Sequence, residues 1–186
     1  TLLNKTEEYD GTNFSNVNTM NTARTNLSGA GSQTTSIAFG GATPPVSNAA
    51  EVYDGTNWTT AANMNTARNG MGSFGDSNSA VGTGGTTGSN STATETWDGT
   101  SWTTSPASLG TARVFYGDTG SGSSTAGIVA GGYTTATVGL TEEYNFTANT
   151  ITAAAFSSGN TINTARRYMR GFGIKTAGVI CGGYVT

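Results

Sequence analysis

One ordered set of residues recurs four times along this chain, at steps close to 44 residues, and no other feature narrows the possible folds as far. The set opens on an acidic-x-aromatic segment: Glu7-Glu8-Tyr9, Glu51-Val52-Tyr53, Glu95-Thr96-Trp97 and Glu142-Glu143-Tyr144, whose aromatic advances by 44, 44 and 47 residues. Asp-Gly and a second aromatic follow, as Asp10-Gly11 with Phe14, Asp54-Gly55 with Trp58 and Asp98-Gly99 with Trp102; the fourth copy drifts to Asn145-Phe146. Next comes Asn-Thr-Ala-Arg, ending at Arg24, Arg68 and Arg166, with Gly110 replacing the Asn ahead of Arg113. A pair of glycines then closes an apolar run, at Gly40-Gly41, Gly84-Gly85, Gly131-Gly132 and Gly182-Gly183. Units this short do not bury a core alone, so they must stack on one another.

Each unit reads as four short strands. The first follows the arginine and alternates Gly with other residues, as in Leu27, Gly29 and Gly31, which suits a strand crowded by other backbones. The second is the apolar run into the glycine pair, as in Ile37, Ala38 and Phe39. The acidic-x-aromatic segment is the third, and Asp-Gly turns it into the fourth at the Trp or Phe, as a tight hairpin requires. Three Trp, seven Tyr and seven Phe at fixed intervals supply enough large side chains to fold a chain otherwise rich in Gly, Ser, Thr and Asn.

Doublet glycines, an aromatic about twelve residues later and a Trp soon after resemble the kelch repeat, and the resemblance covers the whole chain. It implies an all-β fold, a β-propeller of four-stranded antiparallel blades in a single domain. The blades are expected near 24–67, 68–112 and 113–165, with a split blade from 166–186 and 1–23. More narrowly, the wording around Glu7-Glu8-Tyr9-Asp10-Gly11-Thr12 and Asn-Thr-Ala-Arg is similar to kelch-like repeats in virion and tail-associated proteins of aquatic bacteriophages.

Spacing supplies a separate argument about the ends. Gly40 and Tyr53, Gly84 and Trp97, and Gly131 and Tyr144 each enclose 14 residues, ends included, and joining Thr186 to Thr1 makes Gly182 and Tyr9 enclose 14 as well. The N-terminal part then supplies the third and fourth strands of a blade, and the C-terminal part its first and second. A closed four-bladed ring is the simplest expectation, because closure removes exposed sheet edges. A head-to-tail multichain array, or a window of a longer repeat protein, has the same register. Thr1 is not an initiator methionine, which leaves the natural ends open.

Composition bears on function mainly by exclusion. The chain has no His and one Cys, so a Ser-His-Asp triad, a Cys-His pair, a His general base and a Cys-only metal site are all unavailable. No cofactor is expected, and the chain reads as a non-enzyme. A net charge of −3 without a Lys/Arg run gives no footprint for nucleic acid or an anionic membrane surface, and no apolar run approaches a membrane span. Cys181 sits in the run Gly178-Val179-Ile180-Cys181 and is expected to be a small core residue. Asp10, Asp54 and Asp98 are turn formers rather than catalytic acids. Asp76 and Asp118, outside the repeat pattern and among Gly and Ser, are expected to be solvated.

Candidate binding residues fall in two groups. Arg24, Arg68, Arg113 and Arg166 share one repeat position, where a ring would gather them at one channel mouth to grip an anionic ligand through forked hydrogen bonds. The competing and preferred reading pairs each Arg with a repeat acid (Glu7, Glu51, Glu95 or Glu142) to lock neighbouring blades. The second group is the aromatics outside the main repeat phase, Tyr116 and Tyr168 above all, with Tyr133 and Tyr184, which recur after a glycine pair. Variation is concentrated in the linkers at 42–49 and 86–94 and in the segments 118–125 and 147–160, where recognition is therefore expected. The combined expectation is a structural or adhesive module on the outside of a virion or other extracellular assembly, binding a neighbouring subunit or a surface polysaccharide. A free-standing lectin-like propeller and an intracellular kelch interaction module are the alternatives.

Overall fold

The computed structural model describes residues 1–118, 120, 122–146, 155–174 and 177–185, with 155–157, 172–174 and 177–178 known by backbone alone. They form sixteen β-strands in antiparallel sheets, with no helix among the described residues. Strands β1 (Thr6–Tyr9) and β2 (Phe14–Val17) make a hairpin. Three complete sheets follow, each running in chain order: β3 (Ser28–Ser32), β4 (Thr35–Phe39), β5 (Ala50–Tyr53) and β6 (Trp58–Ala61); then β7 (Gly72–Gly75), β8 (Ala80–Thr83), β9 (Ala93–Trp97) and β10 (Trp102–Ser108); then β11 (Gly117–Asp118), β12 (Ala126–Ala130), β13 (Thr141–Asn145) and β14 (Ala155–Gly159). A last hairpin joins β15 (Arg167–Ile174) to β16 (Ala177–Tyr184). The four strands read from each repeat are thus one four-stranded sheet in the three inner units.

The repeat residues account for the local turns. Asp10, Asp54 and Asp98 each accept two backbone N–H bonds through Oδ1, from Thr12 and Asn13, Thr56 and Asn57, and Thr100 and Ser101. These donors hold the three exposed carboxyls below the usual Asp range. Cross-strand aromatic pairs staple the hairpins: Tyr9 with Phe14, Tyr53 with Trp58 and Trp97 with Trp102. The glycine pairs join one unit to the next, since Gly41, Gly85 and Gly132 donate their N–H to the carbonyls of Arg68, Arg113 and Arg166 at 2.9–3.0 Å. Gly40 and Gly41 lie at φ 65° and 95°, and a Cβ on Gly40 would strike the Arg68 carbonyl, so no larger residue fits.

Between sheets, large side chains fill gaps left by glycine. Phe39 lies over Gly82 and Phe74 over Gly127, where an added Cβ would come within 2.7 Å of the rings. Phe39 also meets Trp102 at 4.7 Å and Phe74 meets Tyr144 at 5.2 Å. Each such ring, fully buried, contributes about 1.5–3 kcal/mol. The first strands of consecutive units pack on one another, β3 on β7, β7 on β11 and β11 on β15.

The terminal hairpins hold only two strands each among the described residues. β1–β2 docks on the first sheet, where Tyr53 Oη donates to Glu8 at 2.6 Å and Trp58 Nε1 to Thr6 Oγ1 at 2.9 Å. The bond to Glu8 pushes the Tyr53 hydroxyl up to about 12. Among the described residues β16 pairs only with β15 and β1 only with β2, so the two hairpins are separate sheets. Cys181 is accordingly exposed and not a core residue, because no third strand covers β16. Tyr9 and Phe14 are exposed for the same reason of missing neighbours.

Candidate functional site

The arginines of the repeat position lie inside the sheets. Arg24, Arg68 and Arg113 pair with Glu51, Glu95 and Glu142 at 3.0, 2.8 and 2.9 Å, all six side chains being buried. Nη1 of Arg68 also donates to the carbonyls of Gly84 and Ala93 at 2.7 and 2.6 Å, and Arg24 makes the same bonds to Gly40 and Ala49. Glu95 takes further bonds from the N–H groups of Asn65 and Thr66, as Glu51 does from Asn21 and Thr22. Each pair ties the segment before a first strand to the third strand of the same sheet, so it locks a unit internally instead of bridging neighbouring units. Burial pulls the Arg24 and Arg113 guanidiniums below the ordinary arginine range, against the pull of the facing carboxylates. These three guanidiniums are closed to an outside ligand. Arg166 is half-buried and donates to the Gly182 carbonyl at 3.1 Å, while Glu7 is exposed.

Two further expectations are corrected. Tyr116 is wholly buried: its ring fills the space over Gly72 and Gly84, its hydroxyl donates to the Thr83 carbonyl, and burial pushes that hydroxyl up. The fold requires it as a wedge, which removes it from any exposed site. Asp118 is buried too, not solvated. Its carboxylate accepts from the N–H groups of Ser73 at 3.0 Å and Gly120 at 2.9 Å, and burial pushes it up to about 7. It lines a cavity of about 260 Å³ with Ser28, Ser73, Arg170 and Gly171, so all four first strands contribute to the wall.

Beside that cavity the chain does something unusual. Asn26, Gly70, Phe115 and Tyr168, each two residues after a repeat arginine, all sit at left-handed φ, between 52° and 62°. Gly70 N–H donates to the Asn26 carbonyl, Phe115 N–H to Gly70 and Tyr168 N–H to Phe115, at 3.0, 3.0 and 2.6 Å. This chain of bonds crosses from unit to unit and explains the strained backbone, since a left-handed turn aims each N–H at its neighbour. For Phe115 and Tyr168 the conformation is costly, on the order of 1–3 kcal/mol each.

Here the exposed aromatics gather. Tyr168 stacks on Phe115 with centroids 4.4 Å apart and 26° between planes. The Arg167 guanidinium lies 4.6 Å from the Tyr133 ring centroid, 5.6 Å from Tyr168 and 5.4 Å from Tyr184. Tyr168 and Tyr184 are 55% and 56% exposed, so ring surface remains open beside the cation. A cavity of about 100 Å³, bounded by Asn26, Leu27, Gly70, Phe115, Tyr168 and Arg170, adjoins them. Of the sequence candidates, the structure brings together Tyr133, Tyr168 and Tyr184 and leaves Tyr116 and three arginines in the core. Sequence reasoning missed Arg167 and Phe115. The signal was the doubled Arg166-Arg167 of the fourth copy, where the other copies carry Thr25, Asn69 and Val114.

The variable segment at 147–160 lies outside the described residues up to 154, and the linkers at 42–49 and 86–94 bring no comparable aromatic group. Among the described residues no three His, Cys, Asp or Glu side chains gather to hold a metal ion, and no helix is long and apolar enough to cross a membrane. No protein-family model matches the chain, and no curated protein matches its sequence.

Proposed function

We propose that this chain is a four-bladed, kelch-like β-propeller that binds without catalysis, displayed on the outside of a virion or similar extracellular assembly and holding a surface glycan. The observation that carries the binding reading is the Arg167 guanidinium set among three tyrosine rings, two of them more than half exposed. Flat aromatic faces beside a forked donor match a sugar, whose C–H face stacks on a ring while its oxygens take N–H bonds. The site has no proton-transfer group of suitable range, since the chain lacks His and the raised carboxyl of Asp118 is buried in the cavity between the first strands. Four first strands around one cavity, three complete sheets and the 14-residue register across the ends support the ring.

A neighbouring subunit is the second reading, favoured by the edges of β16 and β1, each paired on one side only. The binding reading is tested on a glycan array with the protein and with Tyr168→Ala and Tyr184→Ala. Loss of a bound glycan in both variants, with unchanged unfolding midpoints, is the expected result; an array with no bound glycan overturns it. Conversion of any bound glycan overturns the non-catalytic part.

A further inference from the structure

We infer that the ligand of this aromatic face is an anionic sugar, whose carboxylate or sulfate is gripped by the Arg167 guanidinium while its ring stacks on Tyr168 or Tyr184. The inference rests on the binding reading above and narrows it to a charge class. Three of the chain's six arginines, Arg166, Arg167 and Arg170, fall within five residues of the last hairpin. None of them has a carboxylate within ion-pair distance among the described residues, whereas Arg24, Arg68 and Arg113 each have one. Arg167 is the member that faces the rings.

The arrangement also fits the geometry of the anion. A guanidinium offers parallel N–H groups to two oxygens of a carboxylate or sulfate, and a nearby π face holds the cation in place without removing its charge. A neutral sugar would use the rings but leave the charge unanswered. Arg166 and Arg170 flank the site on the same hairpin and add to the positive field, in a chain whose net charge is −3.

The test is titration calorimetry with three probes: tetragalacturonate, its full methyl ester, and a sulfated galactan tetrasaccharide. At least tenfold tighter binding of the galacturonate or of the sulfated sugar than of the ester supports the inference, and which of the two binds identifies the anion. Arg167→Gln should erase that preference while keeping ester binding, and Arg167→Lys should recover only part of it. Tyr184→Phe, which keeps the ring, should keep the preference; this separates charge recognition from damage to the fold. Equal binding of ester and acid overturns the anionic assignment and leaves the glycan reading standing. Binding of none of the three, on a protein that also binds nothing on the array, overturns both. An anion preference unchanged in Arg167→Gln overturns the placement.

Discussion

Replacing Arg68 by alanine tests how the repeat holds together. The wild-type guanidinium is fully buried, makes three hydrogen bonds of 2.6–2.8 Å, and faces a carboxylate that is 1% exposed. Truncation leaves Glu95 with two backbone donors, Asn65 and Thr66, and no counter-charge, and it strips the Gly84 and Ala93 carbonyls of a donor. Breaking a buried pair in this way costs about 3–5 kcal/mol. In a chain of this length that is a fall of roughly 6–20 °C in midpoint, taking about 2–4 °C per kcal/mol. Urea unfolding followed by the fluorescence of Trp97 and Trp102 is the assay, as both rings sit in the core beside this sheet. Arg68→Met with Glu95→Leu should recover most of the loss, because the buried charge goes with its partner. A cost for Arg68→Ala below about 1 kcal/mol, the range of exposed pairs, would refute the assignment of these arginines to the scaffold. Arg166→Ala gives the comparison: in a ring closed by Glu7 it costs as much as Arg68→Ala, and a loss near 1 kcal/mol leaves the fourth sheet open.

Closure has a direct chemical test in Thr6→Cys. In the complete sheets Phe39 faces Ala50, Thr83 faces Thr94 and Ala130 faces Thr141, and the same register sets Cys181 against Thr6. Because Gly40 N–H bonds the Ala49 carbonyl, the Phe39–Ala50 position is a non-hydrogen-bonded pair, with Cα atoms about 4.5 Å apart and within disulfide reach. Mild oxidation should give a cross-linked monomer of altered mobility on a non-reducing gel; covalent dimers would replace the ring with an array between chains, and no cross-link at all would remove both. For Asp118 the sign follows from its raised carboxyl: the folded chain holds a proton that the unfolded chain releases above its ordinary 3.8. Stability attributable to Asp118 therefore falls as pH rises from about 4 to about 7, by at most roughly 4 kcal/mol. Asp118→Ala should flatten that slope, and identical slopes in the two proteins would refute the buried assignment. Asp10, Asp54 and Asp98 act with the opposite sign and at lower pH, so the difference between the two proteins isolates Asp118.

Strand order, the Asp-Gly turns and the Arg–Glu partners were legible because each depends on residues a fixed distance apart within one unit. Arg68 finds Glu95 at a separation of 27 residues, as Arg24 finds Glu51, so periodicity alone brings them together. Asp118, Tyr116 and Cys181 were not legible because their surroundings come from other units. Asp118 occupies the position of Gly29, Ser73 and Gly171, and its Gly- and Ser-rich neighbours read as a loop until four first strands meet around it. Tyr116 is large where its neighbours in the preceding unit, Gly72 and Gly84, are small, and complementarity of that kind has no sequence spacing. Cys181 has the apolar context of a core strand, but β16 pairs only with β15 among the described residues and leaves it exposed.

The contrast bears on where the proposed binding site lies in a molecule built this way. A residue repeated in every unit has a structural duty in every unit, and the buried Arg–Glu pairs show how fully that duty uses a charged side chain. Departures from the repeat are structural in places, as Tyr116 and Asp118 are, but some of them carry a cost. Phe115 and Tyr168 hold aromatic side chains at φ 55° and 57°, where Gly70 meets the same backbone demand without strain. Two of the four positions are aromatic and stacked on each other. Beside them, Arg167 replaces the small or apolar residue of the other units and collects Tyr133 and Tyr184 around its charge. Strain, exposed ring surface and an unanswered cation coincide in one place and nowhere else among the described residues. That coincidence is what the proposed ligand site rests on.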